Sequence, residues 1–258
     1  MLNYIKSELY RVSHGKEVYL FTGILAVLSV LMNGVLYLFH TFTPDFPYGA
    51  IRFSLNTLTS SMEFLFFAGM LLAGFLISDE HKNGTLKNTV SFGISRVQIF
   101  TGKCIVCSIA SFLSMLVIMT FYYGSAYLIL TGPDEVTLLD RLRGIAANLP
   151  MAFASVILIV ALMSMIKREM IAVMVWMFII VFLPIITFFL GLKIDWLNSV
   201  AEWMPRNYLN MEVIANMSDY QALWDTPEGM AKCLISGIIG MIVFFMIGWI
   251  GFRKKELV

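Results

Sequence analysis

Charge is scarce in this chain. Asp, Glu, Lys and Arg make up 14% of its 258 residues and hydrophobic residues 59%, whereas soluble domains carry about 25% charged residues. That composition excludes a solvated globular domain and leaves an integral membrane protein. A net charge of +1 gives no support to a nucleic-acid or acidic-substrate binder, although in a membrane chain the position of each charge matters more than the sum.

Cysteine is scarcer still. Cys104, Cys107 and Cys233 are an odd set, too few for a disulfide framework. The C-x-x-C spacing of Cys104 and Cys107 opens an apolar run with no second ligand pair, so all three read as small packed hydrophobes. The histidines, His14, His40 and His81, are scattered. Neither H-E-x-x-H nor G-x-S-x-G occurs, so zinc and serine hydrolysis lack their parts. The nearest fragment to a phosphate loop is Gly102-Lys103-Cys104, where Val97 replaces the leading glycine and Cys104 the magnesium-binding hydroxyl. The chain is expected to be no enzyme, with no cofactor or metal of its own.

Long apolar runs are what it has. About 20 mostly apolar residues span a bilayer, and six such runs are expected: Val18 to Phe39, Leu58 to Ile77, Cys104 to Leu130, Ile145 to Ile166, Met170 to Leu192 and Leu234 to Phe252. In the second, the strongly apolar part begins only at Phe64, after Glu63. The first run is too long for a secretory signal core and leads into Tyr37, Phe39 and His40, so it should stay attached as a span.

Lysine and arginine orient the bundle. With an even number of spans and a cytoplasmic N-terminus, twelve of the eighteen basic residues fall inside: Lys6, Arg11, Lys16, Lys82, Lys87, Arg96, Lys103, Lys167, Arg168, Arg253, Lys254 and Lys255. Arg52, Arg141, Arg143, Lys193, Arg206 and Lys232 fall outside, among acidic residues such as Asp45, Asp134, Glu135, Asp195, Glu202 and Glu212. Both termini are therefore expected in the cytoplasm.

The remaining segments carry structure too. Leu2, Ile5, Leu9 and Val12 share one helical face, so residues 1–17 read as an amphipathic helix in the cytoplasmic interface. Residues 193–232 hold Trp196, Trp203, Tyr208 and Trp224 but are interrupted by Pro205, Asn207 and Asn210. Two short helices broken at Met204-Pro205 and dipping into the outer leaflet fit that pattern. Pro150 and Pro184 can kink the fourth and fifth spans. Gly69, Ala73, Gly74 and Ser78 give the second small-xxx-small spacing for close packing. No repeat or linker divides the chain, so residues 1–258 form one membrane domain.

An ion-coupled transporter needs ionisable groups near the midplane. Here Glu63, Arg141, Arg143, Lys167, Arg168 and Glu169 all sit at span ends, where long side chains reach the interface. Polarity concentrates instead in the island of residues 79–103: Asp79-Glu80-His81-Lys82-Asn83-Gly84-Thr85-Leu86-Lys87, then Ser91-Phe92-Gly93-Ile94-Ser95-Arg96, then Lys103. The island has no catalytic constellation and lies where a cytosolic partner would dock.

That island resembles the E-x-x-x-G-T-L, S-x-x-I-S-R and K motifs of ABC-2 type permeases, the membrane subunits of ABC transporters, and is close to the small permeases of antimicrobial-peptide immunity and export. The ending Phe252-Arg253-Lys254-Lys255-Glu256-Leu257 and the topology extend the likeness over nearly the whole chain. The resemblance implies an all-α, polytopic permease whose segment 79–103 is a coupling helix for a separate ATP-binding subunit. Its contact residues would be Asp79, Glu80, Gly84, Thr85, Leu86, Ser91, Gly93, Ile94, Ser95, Arg96 and Lys103. Gly84 would free the turn, Thr85 cap the following helix, and Arg96 and Lys103 anchor its return to the membrane surface. Implied partners are two ATP-binding subunits holding ATP and Mg, a second permease, identical or related, and the bilayer. The implied cargo is hydrophobic or amphipathic, a membrane-active peptide first, a lipid, lipid-linked glycan or drug second. A non-transporting membrane sensor or assembly protein would share the topology.

Overall fold

The computed structural model describes residues 1–43, 51, 53–55, 63–83, 91–132, 138–166, 168–204, 224 and 226–254, with backbone alone at 63–66, 79–83, 138, 140 and 254. Helices make up its regular elements: α1 (Leu2–His14), α2 (Lys16–Phe42), α3 (Glu63–Asn83), α4 (Arg96–Ile129), α5 (Leu138–Met165), α6 (Glu169–Met177), a π-helical stretch (Phe178–Phe182), α7 (Leu183–Gly191), α8 (Asp195–Ala201) and α9 (Pro227–Lys254).

Five stretches are long and apolar enough to cross a bilayer: Lys16–Phe42, Arg96–Ile129, Arg141–Met165, Glu169–Gly191 and Pro227–Arg253. They fall on the expected first, third, fourth, fifth and sixth spans. The expected second span coincides with α3, whose apolar stretch Phe67–Ser78 is shorter than a full crossing; its start, at 58–62, lies outside the described residues. The 21 residues of α3 still rise about 31 Å at 1.5 Å each, and side-chain contacts carry it along the bundle from Gly69 beside Val156 to Ser78 beside Glu169.

Helix α5 is the centre. Ala147, Ala154, Ile159, Val160 and Ala161 on it are fully buried, and α9 packs along it through glycines. A Cβ on Gly237 would lie 2.6 Å from Pro150 Cβ, and one on Gly251 would overlap the Met165 side chain. With no hydrophobic effect between helices in lipid, such close backbone approach supplies the packing. Pro150 sits within α5; Pro184 follows the π-helical stretch, whose Phe178 carbonyl accepts from Leu183 N–H. The proline ring removes one amide donor, and the wider turn takes up the mismatch.

Away from the N-terminal end, α2 and α4 are clasped by a buried polar cluster. Asn33 Nδ2 donates to Ser125 Oγ (2.8 Å) and to the Tyr122 carbonyl (3.0 Å), and Ser54 Oγ donates to Asn33 Oδ1 (2.6 Å). Tyr122 Oη returns a hydrogen bond to the Ser54 carbonyl at 2.9 Å. Arg141, within electrostatic reach of Tyr122, is fully buried. Its place at a span end suggested that it reaches the interface, but the side chain is covered by protein.

The expected amphipathic stripe of α1 is turned inward. Val12 and Tyr4 are buried, and Ile5 and Leu9 pack against the core cluster, while Leu2 is 67% exposed. The stripe covers α4. After the fifth span, α8 provides the first of the two expected short helices, with Trp196 exposed; 205–223 lies outside the described residues. All three cysteines are free and buried, consistent with packing.

Candidate functional site

The polar island meets the bundle at the end that holds the N-terminus. Asp79 and Glu80 close α3, and Gly84, Thr85 and Leu86 lie outside the described residues. From Ser91 the chain makes a tight turn through exposed Phe92 and Gly93 into α4. Gly93 adopts φ +85°, the left-handed region where a side chain is strained and glycine is not.

Helix α4 then starts on a capping box. Ser95 Oγ accepts from Gln98 N–H and Gln98 Oε1 accepts from Ser95 N–H, both at 3.3 Å, so two amides that the helix leaves open are satisfied reciprocally. The cap of this helix is Ser95. The Ser-x-x-Gln signature was present in the sequence.

Three ties fix that end of the bundle. Ser78 Oγ donates to Glu169 Oε1 at 2.6 Å, joining the exit of α3 to the start of α6. Arg96 Nη1 donates to the Arg253 carbonyl at 3.3 Å, joining the start of α4 to the end of α9. A cation at a helix C-terminus also meets its partial negative charge. Phe100, fully buried, meets Phe245 and Phe252 in tilted ring contacts with centroids 5.4 Å and 6.3 Å away, with the Gly248 backbone against its ring.

Helix α1 crosses α4 at Gly102, where an added Cβ would come within 2.7 Å of the Tyr4 ring. Lys103, beside that crossing, is 4% exposed. It is therefore covered by protein, with α1 overlying this part of α4, and Arg96 bonds the end of α9. From the Tyr4 crossing to the Ser95 cap, α4 extends about 10 Å further, and the Phe92 turn sits at its tip.

The island residues thus divide. Ser91, Gly93 and Ser95 are exposed at the tip, Ile94 packs inward, Arg96 and Lys103 brace the bundle. Sequence reasoning missed Phe92, 84% exposed, although an aromatic residue between Ser91 and Gly93 in a polar island was visible. It also missed the bracing pair Ser78 and Glu169, whose separation along the chain left no local signal.

Electrostatics and chemistry agree in what this end can do. Its described part offers an exposed apolar ring on a capped turn, flanked by the hydroxyls of Ser91 and Ser95 and the guanidinium of Arg96. Residues 4–188, which include the island and everything from Tyr4 of α1 into α7, match the family described as ABC-2 family transporter protein. No curated protein matches the chain.

Proposed function

Because the chain belongs to the ABC-2 family of transporter proteins, we propose that it is the permease subunit of an ATP-driven exporter, and that the Ser91–Arg96 turn docks into a groove on a separate ATP-binding subunit. The observation that carries this reading is Phe92, held 84% exposed between a left-handed glycine and a capped helix. A loop needing only charge would not spend a rigid scaffold on an exposed aromatic ring, whereas buried aromatic anchors dominate protein interfaces.

The mechanism follows from the ties. Closure of the ATP-binding subunits would push the turn, and Arg96 to Arg253, Ser78 to Glu169 and Tyr4 on Gly102 would pass that push to α9, α6 and α1 as a rigid-body movement. The working complex has two ATP-binding subunits, which hold ATP and Mg, and a second permease, identical or related. Counting α3 as the second span brings the total to six, and both termini and the tip then face the cytoplasm, as the lysine and arginine distribution requires.

The cargo is hydrophobic or amphipathic, with a membrane-active or antimicrobial peptide ahead of a lipid, lipid-linked glycan or drug. Charge-poor spans and the aromatic outer segment favour such ligands. The test is co-purification of the full chain with its ATP-binding subunit in gentle detergent. Phe92→Asp should abolish recovery of the ATPase while leaving the melting temperature unchanged. Full recovery with this variant, or no ATP-binding protein with the unsubstituted chain, would point to a sensor or assembly protein instead.

A further inference from the structure

We propose that the elbow between α1 and α2 seats one acyl chain of a glycerophospholipid from the leaflet on the N-terminal side, in a cavity of about 370 Å³ walled by α1, α2 and α4. That volume falls in the range of about 300–1,000 Å³ typical of small-ligand sites. The inference depends on the membrane location of the bundle and not on what it transports.

Depth comes first. The α2 wall runs from Val18 to Gly23, within about 10 Å of the start of the helix at Lys16. An acyl chain begins at that level, just below the headgroups. The opposite wall, on α4, includes Ile109, Leu113 and Val117, all at least 39% exposed, so the cavity opens sideways toward hydrocarbon.

Chemistry selects the occupant. Four lining residues are polar, and each is already engaged within the protein. Thr22 Oγ1 donates to Ser114 Oγ at 2.8 Å, Tyr19 Oη donates to the Ser13 carbonyl at 2.7 Å, and Ser13 Oγ donates to the Tyr10 carbonyl at 3.0 Å. A peptide segment entering here would bring a row of amides, while the wall has only these few hydroxyls, which bond to the protein itself. An alkyl chain has no such requirement, and it restores the dispersion contacts that an unfilled void this large would forfeit.

Gly23 makes the room. It lies inside α2, where glycine is less favourable than alanine, and a Cβ there would meet nothing within 4 Å. Gly23 lines the cavity, so a larger side chain there is the direct way to test whether the space is occupied.

The test uses the full chain reconstituted in vesicles of phosphatidylethanolamine and phosphatidylglycerol, with a trace of phosphatidylcholine carrying a photoactivatable diazirine on its acyl chain. Labelled peptides are then mapped by mass spectrometry. Label should concentrate on 18–23 and 109–117, saturate with the probe, and fall at least fivefold in Gly23→Leu, while label on the outward face of α9 at Ile239 and Ile242 is unchanged. Leu113→Trp fills the same space from the other wall and should act alike. Even labelling of α9 and the cavity, insensitivity to both substitutions, or a cross-link from Leu113→Cys to a second copy of the chain would overturn the assignment. A higher melting temperature in Gly23→Leu with unaltered label would do the same, since it marks a mere packing gap.

Discussion

Ser78 Oγ donates to Glu169 Oε1 at 2.6 Å and so fastens the last turns of α3 to the first turn of α6. The residues are far apart in sequence, and this contact ties the helix that enters the polar island to the fifth span. A hydrogen bond to a charged acceptor contributes about 1.5–3 kcal/mol. Ser78→Ala is expected to lower stability by roughly that amount, and to reduce transport per ATP hydrolysed more than ATPase-subunit recovery. Equal loss of binding and transport, measured in reconstituted vesicles, would place Ser78 in the docking surface and not behind it.

Gly93 and Ser95 separate the shape of the tip from its contacts. At φ +85°, Gly93→Ala forces a side chain into left-handed backbone at about 1–2 kcal/mol, and Ser95→Ala removes a cap at typically about 1 kcal/mol. Both should weaken ATP-binding-subunit recovery, yet neither touches the span packing, so unfolding of the detergent-solubilised bundle should shift little. Ser95→Asp keeps an N-cap acceptor and should restore binding. Failure of that rescue would mean the hydroxyl itself meets the partner.

Much of this was legible because a membrane helix must satisfy its own backbone, so apolar length alone locates α2, α4, α5 and α9. Gly69 also served close packing as its spacing implied, lying against Val156. Burial of charge was not legible. Lys103 and Arg141 look like ordinary end-of-span cations in one dimension, yet both are buried, Lys103 beside the crossing of α1 over Gly102 and Arg141 within electrostatic reach of Tyr122. The α1 stripe was legible as an amphipathic helix but not its partner, because a helical face shows only that something apolar will cover it, and here α4 does so. The glycines of α9 carried a readable signal at 237, 240, 248 and 251, all on one helical face, while the glycines singled out were Gly84 and Gly93 of the island.

Asn33 joins three elements through its amide: α2, α4 and the 51–55 segment. Asn33→Ala removes three buried hydrogen bonds at once, at about 0.5–1.5 kcal/mol each, while Ser54 Oγ keeps Tyr122 Oη and Ser125 Oγ keeps the Tyr122 carbonyl. It should be among the most destabilising single substitutions in the chain. Ser125→Ala removes one hydroxyl that also bonds the Tyr122 carbonyl at 3.0 Å and should cost less. Thermal unfolding of both variants in one detergent checks the order, and a reversed order would mean the cluster is not centred on Asn33.

Gly34 and Gly248 are glycines in two membrane helices, and the structure predicts opposite responses to alanine. A Cβ on Gly34 meets nothing within 4 Å, whereas one on Gly248 would stand 2.6 Å from Ala161 Cβ and overlap the ring of Phe100. Phe100 is fully buried and in tilted contact with both Phe245 and Phe252, so it has little space to yield. Gly34→Ala should hold or raise stability by about 0.5–1 kcal/mol through helix propensity, while Gly248→Ala should cost about 1–3 kcal/mol through overpacking. Phe100 lies little more than one turn from the Ser95 cap, so the second variant should also disturb the tip and lower ATPase-subunit recovery. Matching melting temperatures for the two would show that α9 does not press on α4 at this point, and the relay from the Phe92 turn to the sixth span would lose its apolar half.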